Sequence, residues 1–344
     1  MKIINVEKVK DKKIIIKKIS PAAEAIKKGE VVIFPTETVY GIGANCFDEV
    51  AVRKVFLVKK RPFYNPLIVH IVRKSQLNKL VKKIDEKVKK LVKAFWPGPL
   101  SLVLEKSNVV PRIVTGGLAT VCIRMPSNRI ARIFLSKCGV PVAAPSANVF
   151  SRISSTHINH IKKNFLKSKE VKFVIYDGES EHGLESTILD CTRYPFKVLR
   201  YGSISVETIR QKTGLKIVEI KNNFPKAIKS PGLFKKHYSP LKETYVVKDM
   251  LKYLVNRDEN FLRKVVVVCN GKTEKVILRK FNKKVKVLNY GEKITEIAKK
   301  LYSVLHKAEE SDREKILIEA VPFKGLGKSL MDRMIKASEG KIIG

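Results

Sequence analysis

Paired cysteines are missing from this chain. Its five cysteines (Cys46, Cys122, Cys138, Cys191 and Cys269) are odd in number, widely spaced and never Cys-x-x-Cys, which argues against a disulfide framework. Several sit inside apolar runs, so buried free thiols and a reducing compartment are expected. No stretch approaches about 18 consecutive apolar residues, which excludes a membrane-spanning helix. The opening Met1–Glu7 lacks the apolar core of a signal peptide, and a soluble, cytoplasmic protein without membrane partners is expected. Neither a Gly-x-x-x-x-Gly-Lys-[Ser/Thr] phosphate loop nor a Gly-x-Gly-x-x-Gly fingerprint occurs at a strand–helix junction. His157-Ile158-Asn159-His160 has no acids or thiols beside it, reads as surface polarity, and leaves no metal site. Acidic residues are scarce, 32 against 70 lysines and arginines, for a net charge of +38. That balance works against acidic partners and favours polyanions such as nucleotides or nucleic acid. The lysines are spread over polar helix faces, however, and no nucleic-acid-binding module accompanies them.

What is present is enough apolar sequence, 44% of 344 residues, for two cored domains. Ser20-Pro21 reads as the start of a helix closed by Gly29, followed by a strand at Val31–Phe34. A helix from Asp48 to about Lys59, a strand at Leu67–Val72 and a single lysine-backed apolar stripe from Leu77 to Phe95 follow. Trp96-Pro97-Gly98-Pro99 stops that stripe. Strands are expected at Leu100–Glu105, Val121–Met125, Val140–Ala144, Phe173–Tyr176, Thr187–Cys191 and Lys197–Arg200, with a helix over Asn128–Cys138. Periodicity lapses from about Lys221 to Pro240, an interdomain linker unusually rich in aromatics and prolines. Beyond it the pattern restarts as strands at Thr244–Val247, Val265–Cys269, Val285–Leu288 and Ile316–Ala320. Helices are expected after the first of these, at Ile294–His306 and at Leu330–Ala337. That pattern describes a small α/β domain with an open, parallel sheet. The domains are expected at 1–215 and 243–344, with residues 216–242 as linker or lid.

Polar clusters recur at the strand ends. Lys59-Lys60-Arg61-Pro62-Phe63-Tyr64-Asn65-Pro66 places three cations on backbone stiffened by two prolines, just before a strand. Such a cluster suits a polyphosphate, or it is a solvated basic turn. Pro35–Gly43 offers two hydroxyls and a carboxylate where open α/β sheets bind ligands, or a structural turn. Ser146 and Asn148 could hold a phosphate or ribose, or close an Asx turn. Arg124, among apolar strand residues, must be paired or bind an anion, and the anion is the expectation. The clusters are richer in Arg, Ser and Thr than in acids, which suits an anionic ligand.

Together these segments resemble the threonylcarbamoyl-adenylate synthase family, whose YrdC-like domain occurs here in its longer two-domain form. The resemblance rests on Pro35–Gly43, Lys59 and Arg61, Asn65–His70, Trp96–Leu100, Arg124-Met125-Pro126, Pro145–Asn148, Glu185–Ile188, and Leu199-Arg200 with Gly202. Pro231-Gly232, His237–Pro240, Gly325-Leu326-Gly327 and Asp332-Arg333 match the longer form. It implies an α/β fold: a twisted, mixed or parallel sheet with a concave basic face, plus a smaller Rossmann-like α/β domain. It implies a nucleotidyltransferase that makes threonylcarbamoyl-AMP and pyrophosphate from ATP, L-threonine and bicarbonate, with Mg²⁺ accompanying ATP. The product would feed a tRNA threonylcarbamoyl transferase complex, in the modification of tRNAs that read ANN codons. A weak tRNA contact is possible. By resemblance, Lys59 and Arg61 are catalytic. Arg61, Asn65, Thr120, Ser146, Ser154, Arg200 and the lid residue Tyr238 hold ATP, while Thr38, His70, Arg124, Ala144 and Ser186 hold threonine. Two positions depart from the family pattern: Tyr201 replaces a proline, and Ser151-Arg152 replaces Ser-Gly just before Ser154.

Two other readings compete. One is the carbamoyl-adenylate step of hydrogenase maturation, whose acylphosphatase and zinc-finger segments are absent here. The other is a basic RNA-binding module without catalysis.

Overall fold

The computed structural model describes residues 1–219, 237–281 and 284–344, which fall into two compact units. The first comprises residues 1–150, 155–181 and 185–219. In chain order it contains β1 (Lys2–Asn5), α1 (Lys12–Lys27), β2 (Val31–Phe34), β3 (Gly41–Asn45), α2 (Glu49–Lys59) and β4 (Ile68–His70). Next come α3 (Lys74–Leu80), α4 (Glu86–Phe95), β5 (Leu100–Glu105), β6 (Thr120–Arg124), α5 (Arg129–Cys138) and β7 (Val142–Ala143). The unit closes with α6 (Ile158–Phe165), β8 (Val171–Tyr176), β9 (Thr187–Asp190), β10 (Phe196–Arg200), α7 (Val206–Thr213) and β11 (Ile217–Val218).

These strands form one mixed sheet ordered β1-β8-β2-β3-β7-β4-β6-β5-β9-β10-β11. Every residue of β2 is buried because its alternate side chains serve two cores. Val32 and Phe34 pack with α1 and α5, whereas Val31 and Ile33 pack with α2 and α6. A third core gathers α3, α4 and α7 under β4, β5, β6, β9 and β10.

Several boundaries differ from the sequence reading. Helix α1 begins at Asp11, whose side chain accepts the Lys13 and Ile14 amides, so Pro21 lies inside the helix. The apolar face from Ile15 and Ile19 through Ala22, Ala25 and Ile26 carries the helix past the proline, and Ser20 Oγ bonds the Ile16 carbonyl at 2.7 Å. The stripe from Leu77 to Phe95 is two helices, because Val81 turns extended to bridge Lys106 and Asp85 then caps α4. Strand β3 was hidden by its glycines, which weaken a strand pattern. Yet Gly43 is required, since a Cβ there would lie 2.6 Å from Val142 Cγ1 on β7. His157 and His160 are not surface polarity: His157 caps α6, and His160 is buried.

The second unit comprises Ser151–Ser154, His182–Leu184 and residues from 237 onward. Its elements are β12 (Glu243–Val247), α8 (Met250–Val255), α9 (Glu259–Lys264), β13 (Val265–Cys269), α10 (Gly271–Phe281), β14 (Lys286–Asn289), α11 (Ile294–Glu310), β15 (Lys315–Glu319), α12 (Leu326–Ala337) and β16 (Ile342–Ile343). The sheet is parallel throughout, in the order β14-β13-β15-β12-β16. Helix α10 and edge strand β16 went unread in the sequence. The linker stretch containing Pro231-Gly232 lies outside the described residues, and Ile217–Val218 at its start pairs with β10. All five cysteines are buried and free.

Candidate active site

The cationic cluster forms because α2 stops abruptly. Lys60 turns left-handed at φ 52°, which ends the helix at Lys59 and sends the chain into Arg61 and Pro62. Lys59 is only 1% exposed. Its Nζ donates to the Ser146 carbonyl at 2.5 Å and to the Asn148 carbonyl, and among the described residues no carboxylate neutralises it. Burial, reinforced by the neighbouring Arg61 charge, holds its pKa well below the usual lysine range. Ser146 Oγ in turn donates to Asn148 Oδ1 at 2.6 Å, and Ser146 bridges to Gly41 of β3. Arg61 Nη2 donates to Asn65 Oδ1 at 2.5 Å and to the Pro66 carbonyl at 2.8 Å, which fixes the approach to β4. A buried ammonium held by carbonyl dipoles alone is a costly arrangement that an arriving polyphosphate would relieve.

A second set lies along one line across the sheet. Register places His70 on β4 opposite Arg124 on β6, and Arg124 opposite Ser101 on β5. Ser101 Oγ meets Ser186 Oγ at 2.8 Å, and Arg200 Nη2 donates to Ser186 Oγ at 3.0 Å and to the Ser186 carbonyl at 2.9 Å. Arg124 Nη1 donates to Thr38 Oγ1 at 2.8 Å, and its Nε reaches toward the Gly98 carbonyl at 3.4 Å. The Ala144 amide donates to the Ile68 carbonyl at 2.9 Å, which closes this side of the set against β4.

Arg124 was expected to bind an anion, but its partner here is Glu37, with Nη2 2.6 Å from Oε1 and both side chains buried. The approach is short but poorly aligned as a hydrogen bond, so it is a charge pair that leaves guanidinium donor capacity. Burial would raise the Glu37 pKa, yet the charge of Arg124 holds it below the usual carboxylate range. Burial and Arg124 together push His70 down to about 3, so its ring is neutral near pH 7. His70 Nδ1 lies 3.2 Å from the Ile68 carbonyl, which only accepts. In the neutral ring Nδ1 therefore carries the proton and Nε2 is an acceptor.

The structure thus brings together Lys59, Arg61, Asn65 and Ser146 in one cluster and Thr38, His70, Arg124, Ala144, Ser186 and Arg200 in another. Thr120, at the start of β6, is partly exposed and pairs with Glu105 rather than with either set. Ser154 and Tyr238 belong to the second unit. Tyr238 is buried there, its ring 5.7 Å from Tyr302 and 5.0 Å from the Arg333 guanidinium. Ser101 and the pairing role of Glu37 escaped the sequence reading. A lone serine inside Leu100–Leu104, and an acid between two threonines, were the available signals.

Known proteins resemble the chain along nearly its whole length. Residues 24–202 match a family model described as telomere recombination (Sua5, YciO and YrdC), and residues 204–339 match the threonylcarbamoyl-AMP synthase C-terminal domain. A protein named threonylcarbamoyl-AMP synthase from Pyrococcus abyssi is 40% identical over 332 residues, 95% of each chain. Its namesake from Bacillus subtilis is 35% identical over 94% of each. The solved structure of P. abyssi Sua5 complexed with L-threonine superposes with a TM-score of 0.89 at 38% identity, covering 100% of this chain and 99% of that one. A chain with this mixed sheet, this parallel second sheet and these strand-end clusters is of the two-domain Sua5 type. It belongs to the threonylcarbamoyl-AMP synthase family. No helix among the described residues is long and apolar enough to cross a membrane.

Proposed function

We infer that this chain is an L-threonylcarbamoyladenylate synthase, a nucleotidyltransferase that joins ATP, L-threonine and bicarbonate. The observation that carries the reading is the buried Lys59 beside Arg61, with no carboxylate partner among the described residues, and an Arg124-centred set for an amino acid in the same sheet. The threonine amine and bicarbonate condense to a carbamate with loss of water. A carbamate oxygen then attacks the α-phosphorus of ATP, the bond from that phosphorus to the bridging β-phosphate oxygen breaks, and pyrophosphate leaves. The step needs positioning and charge neutralisation rather than a nucleophilic side chain.

In this reading Lys59 and Arg61 take the charge of the departing pyrophosphate, with Asn65 and Ser146 beside them. Thr120, Ser154, Arg200 and Tyr238 are proposed as further ATP contacts. The spare donors of Arg124 suit the threonine carboxylate. His70 Nε2, as an acceptor, suits the threonine hydroxyl or amine, while Thr38, Ser186 and the Ala144 backbone complete that set. The donors around Lys59 are cationic or amide-like, which fits a Mg²⁺ ion carried by the ATP phosphates better than one caged by protein carboxylates. When bound, Mg²⁺ neutralises phosphate charge.

The product serves as the activated donor for threonylcarbamoyladenosine in tRNA, handed to a downstream transferase complex. Incubation with ¹³C-bicarbonate, threonine and ATP tests the reading. The label should appear in a threonine–adenylate conjugate, and its absence with active protein overturns the assignment.

A further inference from the structure

The second unit has a cavity of about 420 Å³ at the carboxyl edge of its sheet, lined from Asn270 after β13, Tyr290 and Glu292 after β14, and Val321 after β15. In the order β14-β13-β15-β12-β16, the chain leaves β13 toward β14 and leaves β15 toward β16, in opposite directions. The crevice between β13 and β15 is therefore the topological switch point, where open parallel sheets bind ligands.

The chemistry of the rim is specific. Strands β13 and β14 with α10 form a parallel βαβ unit, and Gly271 opens the helix. A Cβ on Gly271 would lie 2.8 Å from Glu292 Oε1, so the Glu292 carboxylate sits directly against the start of α10. Glu292 follows about twenty residues after Gly271, the spacing at which mononucleotide-binding units set the acid that holds a ribose hydroxyl. Asn270 Oδ1 already accepts the Lys272 and Thr273 amides at 2.8 and 3.0 Å, so the helix amides are satisfied. Anion binding then falls to the exposed ammonium groups of Lys272 and Lys324, neither of which has a carboxylate partner among the described residues. Beneath them Asn270, Thr273 and Tyr290 converge on Glu319, with bonds of 2.8, 2.5 and 3.3 Å, and this braces the floor. Ile297 and Val321 supply an apolar wall of the kind a base stacks on.

We propose that the second unit carries a ribonucleoside 5′-phosphate site of its own, separate from the proposed reaction centre. Lys272 and Lys324 take the phosphate, Glu292 takes a ribose hydroxyl, and the base lies against Ile297 and Val321. Photolabelling of the full chain with 8-azido-AMP, followed by peptide mapping, tests this. Label is expected on residues 290–300 or 320–325, competed by AMP at least tenfold better than by 2′,3′-dideoxy-AMP. The Lys272→Glu/Lys324→Glu variant should lose that label at least tenfold while labelling of the first unit and adenylate formation stay unchanged. Glu292→Ala should abolish the preference for ribose. Label confined to the first unit, or unaffected second-unit labelling in the charge-reversed variant, or a ribose preference that survives Glu292→Ala, overturns the site.

Discussion

Replacing Lys59 by methionine separates a binding cation from a structural clamp. The buried ammonium carries a desolvation cost of several kcal/mol, offset among the described residues by two carbonyl acceptors. Lys59→Met removes that cost but leaves the Ser146 and Asn148 carbonyls without this donor, at about 1–3 kcal/mol each. The opposing effects nearly cancel, so the ligand-free variant should lie within about 2 kcal/mol of the parent, above or below. Breaking a compensated buried pair would instead cost about 3–5 kcal/mol. The response to ATP should differ sharply. At a hundredfold excess over Kd, ligand binding stabilises by about 2.7 kcal/mol. For a domain of the first unit's size that is roughly 5–11 °C in Tm. Thermal unfolding followed by circular dichroism, with and without ATP, should show this rise in the parent and almost none in Lys59→Met. A variant that unfolds well below the parent yet keeps the full ATP shift would refute the reasoning and make Lys59 a structural clamp.

Other consequences follow from the Arg124 set. Glu37→Gln should destabilise the chain by about 3–5 kcal/mol in urea unfolding, because Arg124 stays buried without its counter-charge. The double variant Glu37→Gln/Arg124→Met should recover part of that loss, and purely additive losses would contradict the pairing. His70 makes folding acid-sensitive: its folded pKa is near 3 against an ordinary 6.5, so the unfolded state binds more protons between those values. Its contribution is therefore unaffected above about pH 6.5 and turns against the fold as pH drops toward 3. At pH 4.5 that amounts to about 2–3 kcal/mol at 1.36 kcal/mol per pKa unit. His70→Gln should lose less stability than the parent between pH 7 and 4.5 in urea melts; equal losses would contradict it.

The strand-end motifs were legible because open α/β sheets gather ligand-binding residues at strand ends, so Lys59–Pro66 and Ser146 with Asn148 stood out as polar clusters, and the family resemblance joined them in one expected site. Pairing across the sheet was not. Arg124 meets Glu37 through a fold that brings the loop after β2 to the end of β6, and an arginine in a strand says only that some anion must answer it. Register likewise set His70, Arg124 and Ser101 in line, which no local pattern states. Helix boundaries failed where local signals conflicted with packing. Pro21 looked like a start, but the continuing apolar face of α1 outweighed the lost amide. The stripe of α3 and α4 looked continuous, because Val81 and Ile84 preserve its periodicity while the backbone turns extended.

The central claim, that these two clusters serve one adenylate-forming reaction, is tested most directly by measuring pyrophosphate release from ATP with each co-substrate omitted in turn. The account predicts release only when threonine and bicarbonate are both present. Release that persists without threonine, or none with all three present in a protein that still binds RNA, would contradict it.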